Sequence, residues 1–293
     1  WHETRISHPS LDVKLFRDPR LSSAVAALGL VFFGMMGAIF FLSFYLQGVR
    51  GYTPLSAGLL TLPFAAGQLL VAPRTARLVS RFGAKAVAAA GLLTAALALA
   101  GYQLLGTATP IWVLGVTFFL QGAGMGLVMP PATESVMSVV PRERAGSGSA
   151  LTNTARQVAG ALGVAVLGSI LAQAYRGQLS PHLAALPHAA ANTATGSITA
   201  TQTIASRLGG AAGARLDGFA DVAFVHAMHL TTVISAAVTV AGALVVLAWM
   251  PGRRARQAEG TAPGQAGAPA PAAAEVPAAR RASTSVAAAD GEG

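Results

Sequence analysis

A guanidinium group and two amides stand close together in a part of the sequence that has few other charged groups. Asn153, Arg156 and Gln157 are spaced i, i+3 and i+4, so a helix places all three on one face. Such a face could bind an anionic or polar group, or line a water-filled path. The alternative is a structural arginine that pairs with backbone carbonyls or with a carboxylate outside this chain. The residue types favour a binding role, and the structural role stays open.

Two further amides lie in otherwise apolar surroundings. Gln68 and Gln121 each bring donors and an acceptor that need partners away from water. They are candidates to line a path through the protein, with Tyr45 and Gln47 as a second set. The alternative for each is an interhelical hydrogen bond, worth on the order of 1 kcal/mol.

A single carboxylate, Glu134, follows the pair Pro130 and Pro131. Prolines remove amide donors and are expected to kink a helix. A buried carboxylate at such a kink could act as a gate or bind a proton. An exposed one would be an ordinary helix-end acid, and the sequence leaves both interpretations open.

The sequence predicts neither a metal centre nor an enzyme. His226 and His229 are spaced i and i+3, but no carboxylate–histidine cluster surrounds them beyond Asp221, so an interfacial pair is favoured over a metal site. The chain has no cysteine, which excludes disulfides and thiolate chemistry. It also has no glycine-rich phosphate loop with its lysine and no nucleophile–base arrangement in a supporting context. We therefore expect no cofactor.

Charge spacing indicates the elements that carry these residues. Lys and Arg number 20 and Asp and Glu 11 among 293 residues. The stretch between Lys85 and Glu134 holds 48 uncharged residues, and that between Asp221 and Arg253 holds 31. A helix that crosses a bilayer core of about 30 Å needs about 20 mostly apolar residues. The prediction is an all-α integral membrane protein with six transmembrane helices, at about residues 21–47, 54–74, 86–105, 111–138, 145–172 and 226–250.

The basic residues predict how these spans are oriented. A net charge of +9 could suggest nucleic acid, but the cations are not clustered with interleaved aromatic residues. If the N-terminus is cytoplasmic, most cations fall in cytoplasmic segments, and few fall in a long extracytoplasmic loop at 175–225. Residues 1–20 then form a cytoplasmic lead-in, and residues 251–293 form a disordered cytoplasmic tail. The predicted partner is the lipid bilayer and not nucleic acid.

Short-range patterns add two expectations. Gly122 and Gly126 form a GxxxG pattern in the fourth span, and small residues at this spacing let membrane helices approach closely. In the long loop, short helices are expected near 197–208 and 215–225.

The segment between the second and third spans resembles a known signature. APRTARLVSRFGAK (72–85) is similar to the loop signature G-x-L-x-D-R-x-G-R-K of the major facilitator superfamily. The positions that match are Leu78, Arg81, Gly83 and Lys85. Ala76, Ser80 and Ala84 depart from the signature, which puts the family's full charge latch in doubt here.

Three longer segments resemble one branch of that superfamily. YLQGVRGYTPLSAGL (45–59), GAGMGLVMPPATESVM (122–137) and AGSGSALTNTARQVAGALGVAVLGSIL (145–171) look like the last six helices of the fourteen-span drug:proton antiporter family. The resemblance covers about residues 10–250. On that basis the chain is a C-terminal six-helix bundle, and the N-terminal half of the transporter, with its main proton-carrying acids, is missing.

The resemblance implies a site and a function. The first, second, fourth and fifth helices of such a half line the central path, and Gln68, Gln121, Asn153, Arg156 and Gln157 all lie on the second, fourth and fifth spans. It implies proton-coupled export of hydrophobic or amphiphilic drugs or antibiotics by alternating access, in the bacterial inner membrane, with the C-terminus cytoplasmic. The proton gradient is the energy source. Two alternatives stay open: a membrane scaffold or non-transporting fragment, and an integral-membrane enzyme, for which no catalytic set is visible.

Overall fold

The computed structural model describes residues 19–139, 145–184 and 186–249. All regular structure within these residues is helical, and six of its helical segments are long and apolar enough to cross a membrane. This confirms the all-α, six-span fold class. The predicted tail at 251–293 and all but the last two residues of the lead-in lie outside the described residues.

Nine α-helices, named α1 to α9 in chain order, form the described part of the chain. A π-helix, Tyr45–Val49, continues α1, and 3₁₀ turns follow α4 at Tyr102–Leu104 and α6 at Ser180–Leu183. The helices are α1 (Pro19–Phe44), α2 (Pro54–Leu60), α3 (Leu62–Phe82), α4 (Ala84–Gly101), α5 (Ile111–Val139), α6 (Ala145–Leu179), α7 (His188–Ala194), α8 (Ile198–Leu208) and α9 (Gly210–Trp249).

The second candidate span, Pro54–Phe82, is built from α2 and α3 with a break at Thr61. Thr53 caps its start by accepting a hydrogen bond from the Ser56 amide, and Pro54 occupies the first helical turn, where a missing donor costs nothing. Its end turns at Gly83, whose φ of 88° favours glycine. The backbone conformation of this turn therefore explains why the matched signature position is glycine.

Several helices are longer than the predicted spans. The second span stays helical to Phe82, the fifth to Leu179, and α9 begins at Gly210 instead of near 226. At about 1.5 Å per residue, the 40 residues of α9 extend about 60 Å, twice the thickness of a bilayer core. An uncharged run marks only the part of a helix that lies in the bilayer core. It does not show how far the helix continues beyond the core into water.

Segment 175–225 is mostly helical and not an irregular loop. The helix predicted near 197–208 is confirmed as α8, and the one predicted near 215–225 is the start of α9. We call the 3₁₀ turn Ser180–Leu183, α7, α8 and residues 210–221 of α9 the cap. The cap packs as one layer because α8 lies against α9 and α7 against α8.

The spans pack around α1, α4, α5 and α9. The helix α1 contacts α5, α6 and α9, the helix α3 packs on α5, and α4 lies between α5 and α9. Close approach uses glycine: a Cβ at Gly122 would overlap the Phe64 carbonyl, and one at Gly126 would lie 3.1 Å from the Ala72 amide nitrogen. The GxxxG prediction is thereby confirmed as the contact between α3 and α5.

Spans two and five lie at the edges of this bundle. Only 11% of the apolar window of span two and 22% of that of span five are buried, against 39% to 56% for the others. The faces of α3 and α6 that carry Gln68 and Arg156 are therefore partly uncovered by the described residues.

Candidate functional site

A polar cavity of about 440 Å³ lies between α1 and α6. Arg156 is half-buried in it, and one of its terminal nitrogens, Nη2, donates a hydrogen bond to Asn153 Oδ1 at 3.1 Å. The guanidinium carbon lies 5.5 Å from the centre of the Phe32 ring, within cation–π range. The structure therefore brings together the three polar residues that the sequence grouped, and it adds an apolar wall from α1. The lining is Phe32, Met36, Asn153, Arg156, Gln157, Gly160, Ala161 and Val164.

The arrangement leaves Arg156 able to bind an anion. A guanidinium group has five N–H donors, and Asn153 takes one of them. No carboxylate forms an ion pair with Arg156 within the described ranges. The exposed Asn153 and Gln157 amides border the remaining donors. The cavity can thus hold an acidic or polar group against the guanidinium, and an aromatic or aliphatic portion against Phe32 and Met36.

A second, more apolar cavity of about 340 Å³ opens among spans one, two and four. It contains Gln47, one of the second set of sequence candidates. Its lining is Ile39, Leu42, Ser43, Leu46, Gln47, Pro54, Ala57, Gly58, Thr61, Phe64 and Phe118. Sequence reasoning missed the apolar members because they are the same residue types that face lipid or fill the core.

Both cavities open along one face of the first span. Phe32 and Met36 line the polar cavity, and Ile39, Ser43 and Gln47 line the apolar one. These five positions are three or four residues apart, which keeps them on one helix face. From Phe32 to Gln47 that face extends about 22 Å at about 1.5 Å per residue. A single ligand path along α1 could therefore reach both cavities.

Gln121 lies elsewhere, inside the bundle. Its side chain is 3% exposed, and its Oε1 accepts a hydrogen bond from the Tyr102 hydroxyl. Its Nε2 is buried without a partner among the described residues. The neighbours of Gln121 at a small cavity of about 10 Å³ include Leu99 and Thr239, which are not in the Arg156 cavity.

Gln68 is half-buried on α3, and its backbone carbonyl lies close to Gly126 of α5. It does not line the Arg156 cavity. Its assignment to the substrate path stays a prediction, as does that of Gln121.

Glu134 is exposed near the end of α5. The helix continues through Pro130 and Pro131, and the Ser135 hydroxyl donates to the Pro131 carbonyl at 2.7 Å. The exposed position of Glu134 fits a helix-end acid better than a buried gate. Its role in coupling stays a prediction.

The loop signature forms the turn between α3 and α4. Arg81 is exposed, with its guanidinium carbon 5.3 Å from the centre of the Phe82 ring, and Gly83 provides the positive φ. Leu78 and Lys85 are half-buried at either side of the turn. The four positions are thus close in space, at the end of the bundle away from the cap.

Tyr45 and His229 have structural partners, and His226 is exposed. The Tyr45 hydroxyl donates to the Gly106 carbonyl at 2.7 Å, which ties span one to the turn between spans three and four. The imidazole Nε2 of His229 lies 2.8 Å from the Leu105 carbonyl oxygen. Within the part of the chain that the structure describes, no three His, Cys, Asp or Glu side chains are grouped as metal ligands.

Comparison with known proteins identifies one superfamily and, among its relatives, proteins named for drug resistance, export or efflux. The sequence profile of the Major Facilitator Superfamily matches residues 4–164. The multidrug resistance protein Stp of Mycobacterium tuberculosis is 39% identical over 62% of this chain and 34% of its own. The tetracenomycin C resistance and export protein of Streptomyces glaucescens is 34% identical over 58% and 32%. The multidrug efflux pump LfrA of Mycolicibacterium smegmatis is 29% identical over 83% and 48%.

A solved structure supports the fold. A bacterial homolog of the human lysosomal transporter Spinster, in an inward-facing and unoccupied conformation, matches 82% of this chain and 51% of its own. The TM-score is 0.56 at 19% identity, which is evidence for the fold alone. The chain spans about a third to a half of the length of the curated relatives described above.

Proposed function

Because the chain belongs to the Major Facilitator Superfamily, a family of transporters and not of enzymes, we propose that it forms the C-terminal part of a proton-coupled multidrug or antibiotic exporter. Such a protein works by alternating access, in which two halves rock around a site near the middle of the membrane. The support is that Stp, LfrA and the tetracenomycin C protein are named for drug resistance, efflux or export.

Within this proposal the chain is helices nine to fourteen of a fourteen-span drug:proton antiporter. The support is the match in sequence segments and the partial coverage of the relatives. An N-terminal half of the same transporter is then the partner, and it would hold the main proton-carrying acids. The uncovered faces of spans two and five are suited to meet that half.

The observation that carries the proposal is the Arg156 cavity and its continuation along α1 to the apolar cavity. A cation with unoccupied donors beside aromatic and aliphatic walls suits an amphiphilic substrate, with a polar end near Arg156 and an apolar body along α1. The protein would reside in the bacterial inner membrane with a cytoplasmic C-terminus, and the proton gradient would drive it without a cofactor.

The test is efflux from cells that produce the intact protein, measured with fluorescent amphiphiles of both charge signs. We expect Arg156→Ala to lower the efflux rate about tenfold or more, because a hydrogen bond to a charged group contributes about 1.5–3 kcal/mol. Arg156→Lys keeps the charge but loses the planar guanidinium group with its paired N–H donors, so we expect an intermediate efflux rate. Arg176→Ala, on the same helix and exposed, is the matched control.

Two results would contradict different parts of the proposal. Equal efflux by Arg156→Ala and the parent at equal expression would overturn the role of Arg156. No efflux of any probe by the intact parent protein would overturn transport itself and favour the alternative, a membrane scaffold or a non-transporting fragment.

A further inference from the structure

Asp221 lies in the cap, at the end of the bundle opposite the 74–85 turn. From Val222 to Trp249 the helix α9 has no Asp, Glu, Lys or Arg. These 28 residues extend about 42 Å, which is already more than a bilayer core of about 30 Å. Asp221 and the helical turns before it are therefore outside the hydrocarbon.

One oxygen of the Asp221 carboxyl is sealed from water without a donor. Its Oδ1 is buried and has no hydrogen-bond partner among the residues described. The nearby Tyr175 hydroxyl lies 2.7 Å from Thr201 Oγ1, and Thr201 in turn donates to the Ala194 carbonyl at 2.7 Å. Since Thr201 gives its proton to Ala194, Tyr175 donates to Thr201 and has no proton left for Asp221. A buried oxygen without a donor disfavours the ionised carboxyl.

The neighbouring charge of Asp217 also favours the neutral form of the Asp221 carboxyl. Burial, followed by the like charge of Asp217 one turn earlier, raises the pKa of Asp221 to about 6. The cationic and histidine side chains of the packed elements near the cap are Arg176, His182, His188, Arg207, Arg215 and His226, which are exposed, and His229, which is half-buried. No ion pair with Asp221 occurs within the described residues.

The helix α8 connects the Tyr175–Thr201 hydroxyl pair, which lies near this carboxyl, to the proposed transport path. Thr201, which holds Tyr175, is fully buried under α9. The next residue, Gln202, donates from Nε2 to the Gly48 carbonyl at 3.0 Å, on the π-helical end of span one. Leu46 and Gln47, in that same π-helix, line the apolar cavity. A change in how α8 packs on α9 is therefore transmitted to the wall of that cavity.

We propose that Asp221 is a proton-binding residue whose neutral form holds α8 packed between α9 and the end of span one, and whose ionisation loosens that packing. The ligand is a proton from the aqueous side that the cap faces. The proposal goes beyond the transport function and does not depend on it, because proton binding in the cap can be measured without a substrate.

The first test is infrared spectroscopy of the intact protein in lipid nanodiscs, titrated between about pH 4 and about pH 8. We expect a carboxyl C=O band that is lost near pH 6, that is absent in Asp221→Asn, and that is lost at lower pH in Asp217→Asn because a like charge has been removed. A band that persists unchanged in Asp221→Asn would overturn the assignment.

The second test is hydrogen exchange of α8, corrected for the intrinsic effect of pH on exchange. In the parent protein, Ile198–Leu208 should exchange faster at about pH 8 than at about pH 5, and in Asp221→Asn the corrected rate should stay at the slow value at both. The same pH dependence in parent and variant would overturn the proposal. So would failure of Asp221→Asn to fold, because a neutral side chain of the same shape should stabilise the cap.

Discussion

At the scale of single residues, Gln121 and Tyr102 form a polar pair in the interior. Tyr102 is 1% exposed and donates to Gln121 Oε1, while Gln121 Nε2 has no partner within the described residues. The pair joins α5 to the end of α4. In an apolar interior, removing one member of a hydrogen-bonded pair destabilises the protein more than replacing both members by apolar side chains of similar size.

We predict that Tyr102→Phe destabilises the protein by about 1–2 kcal/mol, because it leaves the Gln121 oxygen unpaired as well. The double variant Tyr102→Phe/Gln121→Leu removes both polar groups at similar volume and should recover most of that loss. Thermal unfolding of the purified protein in detergent measures both. Equal destabilisation by the single and double variants would contradict the argument.

Residues of the polar cavity and its surroundings differ in whether the sequence alone could predict their role. Arg156 and its two amide neighbours were identifiable because charge is rare in a membrane helix and helical spacing groups them. Gln121 was identifiable as a buried amide, but its direction was not, since polarity does not reveal whether a side chain faces a path or a neighbouring helix. Met36 and Ile39 carry no signal that separates a cavity lining from a lipid contact.

At the scale of elements, the α1–α6 interface that holds the Arg156 cavity depends on glycine. A Cβ at Gly163 would overlap the Phe33 backbone carbonyl, and one at Gly160 would meet Met36 Cγ at 2.8 Å. By contrast, Gly168 on the same helix has open space around its Cβ position. Close backbone contact thus holds the polar face of α6 against α1, beside the cation–π contact of Arg156 with Phe32.

We predict that Gly163→Ala destabilises the protein by about 1–3 kcal/mol, because the two backbones must separate. Gly168→Ala should be neutral or stabilising by up to about 1 kcal/mol, since alanine has the higher helix propensity. Unfolding by denaturant measures both variants under the same conditions. Comparable losses in the two would show that helix packing here does not require the small residue.

Element boundaries were the least predictable part of the fold. Runs with few or no charged residues located all six spans, because crossing lipid requires a minimum apolar length. The extra turns of α3, α6 and α9 carry charges and lie beyond that requirement, so charge spacing ended the spans too early. The cap was also underestimated, because its helices are short and are stabilised by packing of α8 on α9 and of α7 on α8.

At the scale of the whole molecule, the two ends of the bundle differ in charge. The turn around Ser80 has Arg74, Arg77, Arg81 and Lys85, and there is no Asp or Glu anywhere between Arg50 and Glu134. At the opposite end, Asp217 and Asp221 in the cap offset two of four arginines, which are Arg207 and Arg215 in the cap, Arg176 near the end of α6 and Arg50 at the end of span one. Excess cations in short loops are retained on the cytoplasmic side. The charge difference therefore favours a cytoplasmic 74–85 turn and an extracytoplasmic cap.

The absence of cysteine allows this orientation to be tested directly. We predict that Ser206→Cys, on the exposed side of α8, reacts with a membrane-impermeant maleimide in intact cells, and that Ser80→Cys, exposed at the basic turn, reacts only after the membrane is permeabilised. The parent protein without either substitution is the control for background labelling. Labelling of Ser80→Cys in intact cells together with protection of Ser206→Cys would reverse the topology. It would also place Asp221 on the cytoplasmic side, so that cytoplasmic pH would set its protonation.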